Sequence, residues 1–208
     1  MRVALFGGTG RIGGQVLAWA VESGHQVTAL ARDPAGLAVP AAALTVVIGD
    51  VTDPAAVQQA VDGADIVLSA LGPRGAKTPD LLGVAARNIT AAMARSGARR
   101  LICVSAAGAF IQTDPDSGAL IKMILPRVLA GPFADVRDME AAVAASGLDW
   151  TMVRATRLVN SARTGRYRVR PDYPPAGGGK ISRADVAHFI AASLAENTWL
   201  HEAPALAY

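Results

Sequence analysis

Two hydrophobic patterns alternate along the chain. Short apolar runs occur at Val3–Phe6, Val27–Ala31, Leu44–Ile48, within Asp65–Ala70, at Leu101–Val104 and at Trp150–Val153. Runs of this length with no polar alternation predict strands buried on both faces, as in a parallel sheet. Between them the apolar positions recur at helical spacing. The first such stretch carries Val16, Leu17 and Trp19; others begin at Pro54, cover Leu81–Arg95 and Asp135–Ala145, and run from Ser182 to about Glu196. The junctions repeat one signature. Ser23-Gly24, Asp62-Gly63, Ser96-Gly97 and Ser146-Gly147 each fall between a helical pattern and the next apolar run. A glycine just past a helix end takes the left-handed conformation that side chains with a β-carbon resist. Four such junctions argue for alternating units and a parallel sheet.

Helix starts are marked as well. Asp53 precedes Pro54 as an N-cap before a proline at the first helical position. Ser182-x-x-Asp185 resembles a capping box with Asp in place of Glu. The stretch from Ala106 to Gly131 is less regular, broken by Pro115, Pro126 and Gly131-Pro132, and predicts a short helix near Leu120–Leu125 inside a mobile segment over a cleft. Pro171–Gly179 predicts a loop, and Ala203–Tyr208 a last edge strand. No linker composition divides the chain, so residues 1–208 are expected to form a single domain.

The first strand runs into Gly7-Gly8-Thr9-Gly10-Arg11-Ile12-Gly13 and then a helix, the setting that a dinucleotide-binding turn requires. Gly8, Gly10 and Gly13 satisfy G-x-G-x-x-G, and Gly7, Gly10 and Gly13 give a second register. The glycines allow a tight turn, close approach of backbone to a pyrophosphate, and close packing of helix on strand. The fold class is therefore α/β: a Rossmann-type, doubly wound domain with a mainly parallel sheet flanked by helices.

Composition narrows the class further. Of 208 residues, 51% are hydrophobic and 18% charged, which fits a folded globular chain. The single cysteine, Cys103, leaves no internal disulfide framework and fits a reducing compartment, so the cytoplasm is expected. The run after Arg2 is too short for a secretory signal, and no run spans a membrane. The net charge is +3, with 17 Arg among the 20 basic residues and a cluster at Arg154, Arg157, Arg163, Arg166, Arg168 and Arg170. Aromatic residues for base stacking are nearly missing there, so solvated or ligand-phosphate-facing arginines are expected rather than a nucleic-acid surface. No metal-ligand spacing is present, and a metal site is not expected.

In open α/β sheets, ligands bind beyond the carboxyl ends of the strands. Those ends hold Gly7–Gly13, Arg32, Asp50-Val51, Leu71–Gly75, Ser105–Gly108 and Arg154–Arg157. Arg32 stands where an NAD site places an acid on the ribose, and an arginine there suits the 2′-phosphate of NADP. Asp33 follows it and either opposes that reading or caps the turn before Pro34. Ser105 is either a small strand-end residue bonded to backbone or a hydrogen-bond donor to a nicotinamide amide or acceptor. Cys103 should share its face and fill the core.

The segments Gly7–Gly13, Gly49-Asp50-Val51, Ser146–Arg154 and Ile181–Ala187 together resemble the atypical short-chain dehydrogenase/reductases, in the small NAD(P)H-binding branch that includes flavin/biliverdin reductase-like and NmrA-like proteins. The resemblance covers nearly the whole chain. It implies Gly7, Thr9, Gly10, Arg11, Ile12 and Gly13 around the dinucleotide, Arg32 at the 2′-phosphate, Asp50 and Val51 beside the adenine, Leu71 and Gly72 along the ribose, and Ser105 near the nicotinamide. It also implies an NADPH-dependent oxidoreductase.

The departures shape the reading. Many relatives carry Tyr-x-x-x-Lys after the fifth strand, with Tyr as proton donor; the similar stretch here is Phe133–Arg137, which keeps a cation and loses the hydroxyl. The histidine that flavin reductase-like relatives have after the sixth strand is replaced by Arg157, which becomes a candidate catalytic residue beside Ser105. His188 lies among Val186, Phe189 and Ile190 and reads as packed or surface-facing. Hydride transfer from NADPH to a flavin, quinone or similar conjugated small-molecule acceptor tolerates the missing Tyr, with Arg74, Arg154 or Arg157 holding an anionic group on the acceptor. A non-catalytic NADP(H) sensor of NmrA-like type remains the alternative, with an isomerase or lyase use of the nucleotide behind both. A monomer or homodimer without nucleic-acid or membrane partners is expected.

Overall fold

The computed structural model describes residues 1–40, 44–72 and 80–208. The strands are β1 (Arg2–Phe6), β2 (Gln26–Ala31), β3 (Leu44–Ile48), β4 (Ile66–Ser69), β5 (Arg100–Ala106), β6 (Asp149–Ala155), β7 (Arg157–Val159), β8 (Arg168–Pro171), β9 (Lys180–Ser182) and β10 (Pro204–Ala207). The helices are α1 (Gly13–Glu22), α2 (Pro54–Val61), α3 (Leu81–Ser96), α4 (Ala119–Val128), α5 (Ala130–Ala144) and α6 (Arg183–Glu196). An eight-stranded sheet has the order β3-β2-β1-β4-β5-β6-β10-β8, parallel throughout except for the β10–β8 pair. Strands β7 and β9 form a separate parallel pair.

Strand alternation divides the core in two. Ala4 and Phe6 face a cluster under α2, α3 and α5, whereas Val3 and Leu5 face a second cluster under α1 and α6. Burial on both faces is why the strands are uniformly apolar. The four junction glycines, Gly24, Gly63, Gly97 and Gly147, all have φ between +69° and +80°. The Asp53 carboxylate accepts from the Ala55 amide at 2.9 Å, and Ser182 Oγ accepts from the Asp185 amide at 2.9 Å, so both predicted caps are present.

Three expectations are corrected. Pro204–Ala207 is not an edge strand; it pairs with β6 on one side and β8 on the other, and all four residues are buried. The edge on this side of the sheet is β8, in the Arg-rich segment that carried no strand prediction. The segment 106–132 does not lie over the cleft described below: of its residues only Ala106 lines it. Phe110 and Leu125 pack against the core instead, and Asp116 pairs with Arg170 of β8. Helix α4 extends over Ala119–Val128, beyond the short helix expected near Leu120–Leu125, with none of its residues buried.

Asp185, fully buried on α6, ties the return of the chain to the sheet. Its carboxylate accepts from the Thr164 and Gly165 amides and from the hydroxyls of Thr164, Ser182 and Tyr208. Burial alone would raise its pKa; the donors outweigh it and bring the group down to about 2. A depressed carboxylate pKa stabilises the fold above the unfolded-state value and loses that contribution as pH falls through the folded value. Asp185→Asn is therefore expected to lower the midpoint of thermal unfolding at pH 7 by several degrees. The gap to wild type should close between about pH 4 and pH 2, as measured by circular dichroism. A gap that persists unchanged to pH 2 would contradict this.

Candidate dinucleotide and acceptor site

The glycine turn is shaped by backbone crowding. Gly7 has φ +85°, and a β-carbon there would lie 2.7 Å from the Ala70 carbonyl oxygen. A β-carbon on Gly13 would run into the Gly7 carbonyl, so α1 can start only because position 13 has none. The turn closes with the Gly10 amide on the Gly7 carbonyl at 2.9 Å. Beyond it opens a cleft of about 610 Å³. Its size suits a small-molecule or cofactor site.

Gly7, Thr9, Gly10, Arg11, Ile12, Arg32, Asp50, Val51, Leu71, Gly72 and Ser105 all line this cleft. Gly13 serves it indirectly, through the packing just described. Absence of side chains at the turn leaves a cradle that a phosphate fits, at a helix N-terminus where amides and the macrodipole favour an anion. Arg11 and Ile12, at that N-terminus, border the cleft. The comparable position on α3 is taken: the buried Asp135 carboxylate accepts from the Leu82 and Gly83 amides at 3.0 and 2.8 Å. The protein's own carboxylate thus neutralises the second helix end that borders the cleft.

At the end near β2 and β3, Arg32 Nη1 lies 3.7 Å from Asp50 Oδ2. Asp50 Oδ1 accepts from the Thr52 amide at 2.9 Å and its hydroxyl at 2.8 Å, and the amide bond leads in holding this carboxyl below the usual carboxylate range. Asp33 accepts from the Ala35 amide at 2.9 Å, capping the turn at Pro34. That leaves Arg32 as the cation of this end.

At the other end, Ser105 is neither bonded to backbone nor poised to donate into the cleft. Its hydroxyl donates to Glu140 Oε1 at 2.5 Å. Glu140, on α5, is 5% exposed and also accepts from Arg154 Nε at 3.1 Å and Nη2 at 2.7 Å. Arg154 Nη1 donates to the Asp172 carbonyl at 2.7 Å, and its guanidinium lies 3.7 Å over the Phe110 ring. Arg154 is thus a buried structural cation, neither solvated nor free to hold an acceptor anion. Glu140 escaped sequence reasoning, because nothing local on an amphipathic helix marks one inward acid.

Arg157 is not brought to Ser105. Its side chain is exposed on β7, while the next residue, Leu158, lines the cleft, as strand alternation requires. Arg183, at the start of α6 and held by Asn160 at 2.7 Å, lines the cleft in its place. Arg74 lies outside the described residues. Phe133 is buried against Gly108, and Arg137 turns to the Ala109 carbonyl, so neither borders the cleft. Cys103 fills the core, where burial pushes its thiol up to about 12. His188 Nδ1 meets the Tyr167 hydroxyl at 2.8 Å, a packed role as expected. Arg168 reaches the Ala176 and Tyr208 carbonyls and Arg170 pairs with Asp116, so with Arg154 half of the arginine cluster is spent on internal contacts, while Arg157, Arg163 and Arg166 are exposed to solvent as expected. Among the described residues no group of three or more His, Cys, Asp and Glu could hold a metal ion.

Fold and cleft together define an NAD(P)H-binding protein of the Rossmann type. Residues 7–197 match the NAD(P)H-binding family, and the chain belongs to it. It is similar to an isoflavone reductase homologue from Zea mays, 39% identical over 80 residues. That match covers 34% of this chain and spans 26% of the relative's length. A Burkholderia pseudomallei protein described as exported is 29% identical, with a TM-score of 0.83 and full coverage of both chains. ChuY of Escherichia coli O157:H7, an anaerobilin reductase, shares the fold at 22% identity, with a TM-score of 0.83 covering 100% of this chain and 97% of that one.

Arg32→Glu replaces the cation beside β2 and β3 with an acid. It is expected to weaken NADPH binding about 10- to 100-fold while changing NADH binding by less than about 3-fold, read by fluorescence titration. Equal losses for both nucleotides would remove Arg32 from any 2′-phosphate contact.

Proposed function

We propose that the protein is an NADPH-dependent reductase of flavins, quinones or similar conjugated small molecules, working without a Tyr-x-x-x-Lys proton donor. The observation that carries this is the state of Ser105. Reduction of an isolated carbonyl needs a proton delivered to the oxygen as hydride arrives. Among the described residues, Ser105 is the hydroxyl on the strand ends at this side of the cleft, and its proton is given to Glu140. Conjugated acceptors spread the added charge and draw their proton from water.

NADPH, when bound, supplies the hydride. The chain's residues bind, orient and shield. The Gly7–Gly13 turn cradles the pyrophosphate, Arg32 attracts the 2′-phosphate, and Val136 and Leu158 form apolar wall near Ser105. Arg183, fixed by Asn160, rather than the exposed Arg157, is the cation for an anionic acceptor. The proposal includes a cytoplasmic location, in keeping with the lone buried thiol, action as a monomer or homodimer, and no nucleic-acid or membrane partner. No helix of the described residues is long and apolar enough to cross a membrane. The second reading, a non-catalytic NADP(H) sensor, is favoured by the same missing donor.

The deciding measurement is NADPH oxidation at 340 nm against flavins, quinones and aldehydes, beside direct NADPH and NADH titrations. Turnover with a flavin or quinone at a rate at least tenfold above any aldehyde is expected. Tight NADPH binding with no turnover on the panel would establish the sensor, and faster aldehyde reduction would require a proton donor other than those described.

A further inference from the structure

We propose that Glu140 fixes the polarity of Ser105, so that the serine accepts a hydrogen bond from the carboxamide NH₂ of the nicotinamide and selects the orientation of that amide. This rests on NADP(H) occupying the cleft and is independent of the acceptor.

A serine hydroxyl has one proton and two lone pairs. The proton of Ser105 goes to Glu140 Oε1 at 2.5 Å. A carboxylate has no proton to return, so what Ser105 can offer the cleft is a lone pair. The carboxylate cannot turn away, because Arg154 holds both of its oxygens, at 3.1 and 2.7 Å. The guanidinium is itself held, by the Asp172 carbonyl at 2.7 Å and by the Phe110 ring face. Ser105, Glu140 and Arg154 are all at least nine-tenths buried, so water competes poorly for these contacts. An acceptor fixed on the cleft wall favours the amide rotamer that turns NH₂ toward it and disfavours the rotamer that turns the carbonyl toward it. Glu140 is thus a positioning residue acting through Ser105, and the buried ion pair has a use besides stability.

The test is binding, read by titration of the whole protein with three oxidised dinucleotides: NADP, its thionicotinamide analogue, which keeps the NH₂, and its 3-acetylpyridine analogue, which has methyl in place of NH₂. Wild type should bind NADP and the thio analogue within about threefold of each other and the acetyl analogue about tenfold more weakly. Ser105→Ala, which leaves the Glu140–Arg154 pair intact, should bind all three alike. In Glu140→Gln the amide oxygen keeps the shorter Arg154 bond, the longer bond from Arg154 Nε is given up, and the NH₂ turns to Ser105. The serine proton then faces the cleft, and the preference against the acetyl analogue should vanish or reverse.

Equal binding of all three by wild type overturns the inference, as does tenfold discrimination that survives Ser105→Ala. Loss of discrimination in Ser105→Ala with full retention in a folded Glu140→Gln overturns the part assigned to Glu140. Failure of wild type to bind NADP at all overturns the cofactor reading itself, a distinct result.

Discussion

The buried Glu140–Arg154 pair joins the parts of the structure that must agree for a cleft to form. Burying a carboxylate and a guanidinium costs several kcal/mol, offset only when geometry is good and every remaining polar group is satisfied. Here both Glu140 oxygens are occupied and the guanidinium has three hydrogen-bonded partners' atoms and an aromatic face. The pair locks α5 onto β5 through Ser105 and onto β6 through Arg154. With α5 so placed, Asp135 reaches the first turn of α3, Val136 reaches the cleft wall, and Phe133 packs on Gly108. Removing one partner leaves an uncompensated charge in that core, whereas removing an exposed pair such as Arg87–Asp138 disturbs little.

The arginine-rich segment shows how little local composition says about where charge goes. Arg154 is the penultimate residue of the buried strand β6 and is spent on Glu140. Arg168 and Arg170 alternate with Val169 on β8, an edge strand whose outer positions tolerate long polar side chains. Their heads close carbonyls and Asp116 rather than a ligand. Arg183, isolated in sequence from that cluster, is carried by the chain's folding into the cleft that Arg11 and Arg32 also line.

The front of the molecule was legible because its signals are local. Apolar runs such as Val27–Ala31, a glycine at four of the helix-to-strand junctions, and the close spacing of Gly7, Gly10 and Gly13 are all features of a few adjacent residues. They placed β1 to β6, the turn, and the strand-end residues from Gly7 to Ser105. What sequence did not show is long-range. Pro204–Ala207 reads as a tail, and only its register against both Arg154-Ala155 and Arg168–Pro171 makes it interior. The Asp135 cap on α3 spans more than fifty residues, and Glu140 meets Ser105 across 35. The state of Ser105 followed from that meeting: a serine at a strand end reads as a free donor until its proton is found to be taken.

The proposed preference for a 2′-phosphate turns on a balance at Arg32. Asp50 is nearby, and the Thr52 amide keeps it charged, so a phosphate arriving there meets an acid as well as a cation. The contact that must be given up is weak. At 3.7 Å, with both side chains more than a third exposed, the Arg32–Asp50 pair belongs to the class worth at most about 1 kcal/mol. Charge-assisted bonds from a guanidinium to a phosphate are about twice as strong as neutral ones and come two at a time. Asp50 also has its Oδ1 turned to Thr52, which leaves Arg32 free to swing without stranding a bare carboxylate. The neighbouring acid therefore parks the arginine at the cleft mouth rather than cancelling it, and Asp33, bound to the Ala35 amide, is removed from the contest.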